Sequence, residues 1–188
     1  MGQQKPLWTT CFIARNEESV IARALDSLKE FRERGGVCVV IDTGSSDKTV
    51  EISRSYGCIV EEVGDKFITV VDEKMAKEVN ERFIVDNEPP LLKEGDRIFD
   101  FASARNYAAT FSPTDMVSWC DCDEVFTRLN IDEINKKILE GFTQFEYNFI
   151  FAHDPYGKPS IQFVQSKMYD RTKFQWRGRI HETISPIT

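Results

Sequence analysis

The sequence has no long hydrophobic run and no surplus of positive charge. No stretch approaches the roughly 18 consecutive apolar residues of a membrane-spanning helix, and the N-terminal segment lacks the basic-then-apolar pattern of a signal peptide. The 24 Lys and Arg residues are outnumbered by 31 Asp and Glu, which gives a formal net charge of -7. Affinity for nucleic acid comes largely from neutralising phosphates, so we expect no nucleic-acid partner. Because no apolar run is long enough, we also expect no membrane span.

Cysteine and histidine are also sparse. The five cysteines are an odd number, and three of them lie inside apolar runs. Only Cys120 and Cys122 are close together, and a C-x-C pair without a second Cys or His pair is not typical of a zinc site. We therefore expect free thiols in a reducing compartment, which predicts a cytoplasmic protein.

What the chain does contain is an alternation of apolar runs and amphipathic segments. At 188 residues and 41% hydrophobic content it can build one core, which predicts a single domain over residues 1–188. Strands are predicted at 8–14, 37–41, 58–63 and 116–120, and helices at 20–32 (capped by Asn16), 100–110 (capped by Asp100) and 132–140. This order predicts an α/β fold with a mostly parallel sheet flanked by helices.

Two regions depart from that alternation. Residues 64–96 are rich in charged residues and carry Pro89-Pro90, so they are interpreted as a polar insertion with weak helical periodicity near Lys74 to Phe83. Residues 142–152 and 161–169 are strand-like and flank a turn at 154–157, which predicts an antiparallel strand region near the C-terminus.

Acidic residues follow two of the predicted buried strands. Asp42 comes directly after the second strand, and Asp121 and Asp123 follow the strand at 116–120. Ligands in open α/β sheets bind outside the carboxyl ends of the strands. Two carboxylates one residue apart offer hard oxygen ligands for Mg²⁺ or Mn²⁺, and such an ion bridges them to a diphosphate. Asp42 has two interpretations, as an acceptor for a base N–H or as a helix cap.

Five sequence blocks together resemble glycosyltransferase family 2, and they occur in the family's order. The blocks are CFIARNEE (11–18), VVIDTGSSDKTVEI (39–52), DFASARNYA (100–108), WCDCDEVF (119–126) and WRGRIHE (176–182). The resemblance implies a GT-A fold and inverting transfer from a UDP-sugar, with UDP-glucose or a similar UDP-hexose as first guess. It also implies Mn²⁺ or Mg²⁺ as cofactor and a hydroxyl on a glycan, lipid-linked or protein acceptor.

The resemblance also assigns roles to individual residues. Asp121, Cys122 and Asp123 match the family's D-x-D motif, with Asp123 the more direct metal ligand, and His181 would complete the metal shell. Arg105 would lie near the donor phosphates or sugar, and Asp42 at the uracil. The residues expected to border the uridine are Phe12, Ala14, Arg15 and Glu17.

The general base has no unmistakable match. An inverting enzyme needs a carboxylate within hydrogen-bond reach of the acceptor hydroxyl, and the candidates are Glu182, Asp154 and Glu146. Glu182 ranks first because it is adjacent to His181. Trp176 and the alternating aromatics at 145–151 are interpreted either as stacking surface for an acceptor or, preferentially, as core.

Two other functions compete with this one. The segment from Val117 to Val125 also fits the D-x-D-x-V motif of haloacid-dehalogenase-like phosphatases, although the later acidic motif of that family lies upstream here, in the wrong order. A non-catalytic module that binds a sugar nucleotide or a glycan is the other alternative, because 188 residues leave little room for an acceptor subsite.

Overall fold

The computed structural model describes residues 4–83, 89–178 and 182–187. The strands are β1 Trp8–Ala14, β2 Val37–Asp42, β3 Ile59–Glu62, β4 Ile68–Val70, β5 Arg97–Phe99, β6 Met116–Trp119, β7 Gln144–His153, β8 Pro159–Asp170, β9 Phe174–Arg177 and β10 Thr183–Pro186. The helices are α1 Ile21–Ser27, α2 Lys29–Glu33, α3 Thr49–Ser55, α4 Glu73–Phe83, α5 Phe101–Thr110 and α6 Ile131–Leu139.

The central sheet has six strands in the order β3-β2-β1-β6-β8-β7. The first four run parallel, and the register places Ala14 beside Asp42 and Cys11 beside Trp119. β8 pairs antiparallel with both β6 and β7. The predicted fold class, a mostly parallel central sheet flanked by helices with an antiparallel strand region near the C-terminus, is confirmed.

The central strands form where continuous apolar runs are covered on both faces. In β1, β2 and β6 nearly every residue is buried, as expected for parallel strands with helices on either side. Trp8 and Phe31 of α2 pack in this core with ring centroids 5.0 Å apart. Gly36, directly before β2, has no room for a side chain, because a Cβ there would lie 2.6 Å from the Phe31 ring.

The predicted polar insertion at 64–96 contains regular structure in its described part. β4 pairs antiparallel with β5, which lies just beyond the insertion, and α4 forms where weak periodicity was predicted. Only Ala76 of α4 is buried, which explains why the periodicity of its sequence is weak. No helix among the described residues is long and apolar enough to cross a membrane.

The predicted cap of the first helix is wrong. α1 begins at Ile21, one residue after the predicted start, and no side chain caps it. Asn16, the predicted cap, has φ 57° and its side-chain oxygen accepts the N–H of Ser46 at 2.8 Å. Asn tolerates this left-handed conformation better than most residues, so Asn16 shapes the loop that follows β1 instead. The cap at Asp100 is confirmed, because its carboxylate accepts the N–H of Ser103 at 2.9 Å.

Candidate functional site

The candidate site lies at the carboxyl edge of the sheet, at the switch point between β1 and β6. From β1 the chain continues to β2 and β3 on one side of β1, whereas β6 pairs with β1 on its other side. α/β sheets bind ligands at such a switch point. The D-x-D segment is fixed to this edge. The Cys122 thiol donates to the Ile13 carbonyl at 3.4 Å, and Arg23 Nη2 donates to the Asp123 carbonyl at 2.9 Å.

Two loops next to the D-x-D segment are bonded to each other along their length. The N–H of Asn16 donates to Ser45 Oγ at 2.9 Å, and the N–H of Glu17 donates to Thr49 Oγ1 at 2.7 Å. In return, Glu18 Oε2 accepts the N–H of Lys48 at 3.0 Å. The loops after β1 and β2, which belong to two of the five blocks, therefore form one unit beside the site.

Asp42 is 2% exposed, and its carboxylate is engaged by the turn that follows it. Asp42 Oδ2 accepts the N–H groups of Gly44 and Ser45, both at 3.1 Å. α3 begins only at Thr49, so Asp42 holds a turn and does not cap the helix. The proposed contact of Asp42 with a base remains a prediction.

The residues expected to border a uridine fall into two groups. Phe12 and Ala14 are each 1% exposed and belong to the core, so their side chains pack inside the protein and do not face a ligand. Arg15 is exposed, with its Nη1 3.7 Å from Asp65 Oδ1. Glu17 is half-buried and lies within the electrostatic reach of the D-x-D pair.

Burial and neighbouring carboxylates raise the pKa values of two acids at this edge, Glu17 and Asp121. The pKa of Glu17 is raised first by burial and then by Asp123, Asp47 and Asp121. The pKa of Asp121 is raised first by burial and then by Glu124, while Lys167 and Arg105 act in the opposite direction. A cluster in which acids repel one another favours binding of a cation.

Arg105 joins the two sides of the site. It extends from α5, is 9% exposed, and has Nη2 3.7 Å from Asp121 Oδ1 while Nη1 pairs with Glu182 Oε1. Its guanidinium lies 3.8 Å from the ring centroid of Trp119 and 4.7 Å from that of Trp176. Burial lowers the pKa of Arg105, against the opposing effect of Asp121 and Glu124.

Glu124 and Lys167 form an ion pair that the sequence did not reveal. Lys167 Nζ lies 2.6 and 2.7 Å from the two oxygens of Glu124, and the two side chains are 3% and 15% exposed. Glu124 Oε2 also accepts the N–H of Asp121 at 3.2 Å, and Lys167 lies 3.6 Å from the ring centroid of Trp119. Through the bond from the Asp121 N–H to Glu124, the ion pair holds the backbone of the D-x-D segment in place.

Asn106 is a second residue that the sequence did not reveal, although it lies in the third block. Its side-chain Nδ2 donates to the Trp176 carbonyl at 2.9 Å, and its Oδ1 accepts the Trp176 N–H at 2.8 Å. These two bonds hold β9, and with it the β9–β10 hairpin that carries Glu182, against α5. In the sequence, the one signal for this contact was that α5 and the C-terminal motif both belong to the five blocks of the predicted site.

A groove of about 880 Å³ opens beside Arg105 and is bordered by the β7–β8 and β9–β10 hairpins. Two of the candidate bases, Glu182 and Glu146, line it. The third candidate lies elsewhere: Asp154 is at the far turn of the β7–β8 hairpin, where its Oδ1 accepts the N–H groups of Tyr156 and Lys158 at 2.9 and 2.8 Å. Eight residues of strand separate Asp154 from Glu146, or about 25 Å.

The aromatic residues divide between core and hairpin. Phe145 and Tyr147 pack against the main core, and Trp176 is 6% exposed in a second cluster with Trp119 and Tyr169. Phe151 is 68% exposed on the β7–β8 hairpin. The core interpretation therefore fits Trp176 and also Phe145 and Tyr147, which lie near the start of β7.

The donor types at this edge fit a hard divalent ion. Asp121 and Asp123 offer carboxylate oxygens, the ligands that Mg²⁺ and Mn²⁺ prefer, in a cluster whose acids repel one another. Among the residues that the structure describes, no group of three or more potential ligands is close enough to hold an ion. His181, the expected third ligand, lies outside the described residues.

Comparison with known proteins finds likeness in structure only. No protein-family model matches the chain, and no curated protein matches it. Among solved structures it resembles S. aureus TarS, with 18% identity and a TM-score of 0.45 over 71% of this chain and 19% of that one.

Two further structures are crystallised with ligands. TarS residues 1–349 in complex with UDP-GlcNAc matches with 17% identity and a TM-score of 0.41, over 70% of this chain and 30% of that one. Mycobacterium tuberculosis glucosyl-3-phosphoglycerate synthase in complex with Mn²⁺, UDP and glucosyl-3-phosphoglycerate matches with 23% identity and a TM-score of 0.36, over 62% and 33%. The chain thus spans only a fifth to a third of these proteins, and its functional assignment depends on its own residues.

Proposed function

We propose that this chain is a metal-dependent, inverting glycosyltransferase of the family 2 type that transfers a sugar from a UDP-sugar to a hydroxyl acceptor. One observation carries the proposal: at the switch point of the sheet, Arg105 links Asp121 of the D-x-D pair to Glu182 on the wall of an open groove. A donor diphosphate at the D-x-D pair and an acceptor in the groove would then meet at Arg105.

The roles follow from this arrangement. Asp121 and Asp123 would hold Mn²⁺ or Mg²⁺, with His181 as a further ligand. The bound ion supplies Lewis-acid stabilisation of the charge on the leaving diphosphate. Arg105, buried against two indole rings, adds a fixed positive charge on the same side.

Glu182 is the proposed general base. Its carboxylate lines the groove, and its pairing with Arg105 fixes its position, as positioned acid–base catalysis requires. Glu146 lines the same groove from β7 and is the second candidate. Asp154 is disfavoured, because its oxygen holds the turn of a hairpin far along β7.

The test is release of UDP from a panel of UDP-sugars with and without Mn²⁺. We expect turnover that depends on Mn²⁺ and falls about 100-fold or more in Asp123→Asn, the usual scale for removing a group that stabilises developing charge. Asp115→Asn is the matched control. Asp115 is exposed, precedes β6 at its opposite end and pairs with Arg171 at 3.8 Å, so turnover in this variant should equal that of the wild type.

Two outcomes would contradict the proposal in different ways. Hydrolysis of p-nitrophenyl phosphate without any turnover of UDP-sugars would indicate a phosphatase that uses Asp121 as nucleophile. A thermal shift with UDP-sugars but no release of UDP, with any acceptor tried, would indicate a binding module.

A further inference from the structure

The side chains that line the groove beside Arg105 indicate which kind of acceptor it can bind. Its lining residues are Arg105, Trp119, Gln144, Glu146, Gln165, Ser166, Trp176, Glu182, Thr183 and Ile184. Four of these residues carry an uncharged amide or hydroxyl group. The charged residues of the described lining are one arginine and two glutamates.

Arg105, the one arginine in the described lining of the groove, already has acidic partners. Arg105 pairs with Glu182 and lies 3.7 Å from Asp121, so none of the lining residues that the structure describes offers an unpaired positive charge. Glu146, by contrast, is exposed on the face of β7 that borders the groove. A phosphate or carboxylate on an acceptor would meet this carboxylate without a compensating cation from the described lining, and like charges in such a position repel.

Three buried polar atoms of the groove lining have no hydrogen-bond partner among the described residues. One is the acceptor Oε1 of Gln165, on β8, and the other two are the indole donors Nε1 of Trp119 and Trp176, which are 8% and 6% exposed. A buried polar atom without a partner costs free energy, and a ligand that supplies the partner recovers it. A hydroxyl group both donates and accepts, so hydroxyls suit the acceptor and the donors alike.

We propose that this groove binds a neutral saccharide as acceptor, with hydroxyl groups donating to Gln165 Oε1 and accepting from Trp119 Nε1, and with Glu146 selecting against anionic acceptors. The inference rests on the proposed function for the identity of the reaction. The binding surface itself is argued from the groove alone.

A saccharide fits the lining better than a peptide does. Trp176 is 6% exposed and Trp119 8%, so the two indole rings offer little apolar surface for amino-acid side chains, and Ile184 is the one aliphatic residue in the described lining. Gln144, Ser166 and Thr183 add amide and hydroxyl groups, which match the ring hydroxyls of a sugar.

Ligand-observed NMR of the full chain tests the proposal without requiring turnover. The probes are methyl α-glucoside, methyl α-mannoside and maltose as neutral sugars, glucose 6-phosphate and mannose 6-phosphate as anionic ones, and a serine-containing peptide. We expect a neutral sugar to bind at least about fivefold more tightly than its phosphorylated counterpart. Gln165→Ala should weaken the neutral sugar about fivefold or more, the scale of one lost hydrogen bond.

Two variants separate the contribution of the Gln165 hydrogen bond from that of the Glu146 charge. Gln162→Ala is the matched control, because Gln162 is exposed on the same strand, bonds to Asn148 and does not line the groove. Its Kd for the sugar should equal that of the wild type. Glu146→Gln should tighten binding of the phosphorylated sugar while the neutral sugar changes little, so the ratio of the two Kd values should shrink.

Tighter binding of the phosphorylated sugars or the peptide, or equal effects of Gln165→Ala and Gln162→Ala, would overturn the inference. Binding of none of the neutral sugars would overturn it as well. The thermal shift with UDP and Mn²⁺, recorded on the same samples, reports the proposed donor site separately. A normal shift with failed sugar binding contradicts the groove inference alone, and an absent shift contradicts the proposed function.

Discussion

The Glu124–Lys167 pair offers the sharpest test of how the D-x-D segment is supported. Lys167→Met keeps most of the aliphatic stem beside Trp119 but leaves the Glu124 carboxylate, 15% exposed, without its cation. Breaking one side of a buried ion pair costs about 3–5 kcal/mol, a large part of the roughly 5–15 kcal/mol that holds a domain together. With a urea m-value of about 2 kcal/mol/M, the unfolding midpoint should fall by roughly 1.5–2.5 M.

Urea unfolding followed by far-UV circular dichroism at pH 7 measures this loss. The double variant Glu124→Gln/Lys167→Met should recover most of it, because the carboxylate charge that lost its partner is gone. Lys137→Met is the control: Lys137 Nζ lies at a similar distance, 2.8 Å, from Glu140, but on the surface, so its midpoint should stay close to that of the wild type. A single variant that loses less than about 1 kcal/mol, or a double variant no better than the single, would refute the reasoning.

Three further predictions concern the elements around the site. Asn106→Ala should lower the free energy of unfolding by about 1–3 kcal/mol, since two bonds to the Trp176 backbone are lost, and should reduce UDP release because Glu182 lies on the released hairpin. Asp100→Ala should cost about 1 kcal/mol through loss of the α5 cap. The thermal shift with Mn²⁺ and UDP should disappear on acidification at a higher pH than an ordinary carboxylate near 3.9 would require, because the pKa of Asp121 is raised.

The controls for these predictions differ. Asn148→Ala removes a side-chain bond on an exposed strand and should leave the urea midpoint unchanged. Asn130→Ala removes the equivalent cap of α6, at 3.1 Å, and should cost about as much as Asp100→Ala. The sign of the pH effect is fixed by the chemistry: protons compete with the ion for the Asp121 carboxylate, so binding weakens as the pH falls through its raised pKa. Binding that strengthens on acidification would contradict it.

Much of the fold was predictable because buried strands require apolar residues, which can be read directly from the sequence. β1 was predicted with its observed limits and β2 to within one residue, since each is a largely apolar run that ends at a polar residue. Asp100 was predictable as a cap because Asp is a favoured residue directly before a helical pattern. The cap of the first helix was mispredicted because the Asn16 side chain bonds to Ser46, thirty residues away.

The contacts that assemble the site were less accessible, because they join residues distant in sequence. Lys167 lies in a strand whose alternation gives no sign that one lysine points inward to Glu124, 43 residues away. The hydrogen bonds of Asn106 cross 70 residues to Trp176. The sequence blocks predicted Arg105 and Glu182 as site residues separately, whereas their pairing required the structure.

The placement of the tryptophans gives the molecule an optical reporter of its own. The chain has three tryptophans. Trp8 is buried against Phe31 at the first residue of β1, the end of the strand away from the candidate site. The other two pack edge to face beside Arg105, with ring centroids 5.5 Å apart. Indole emission responds to nearby charge, so with Trp8 replaced by Phe the remaining fluorescence would come only from this pair. Titration of donor or acceptor ligands could then be followed without any label, at the point where the two binding regions meet.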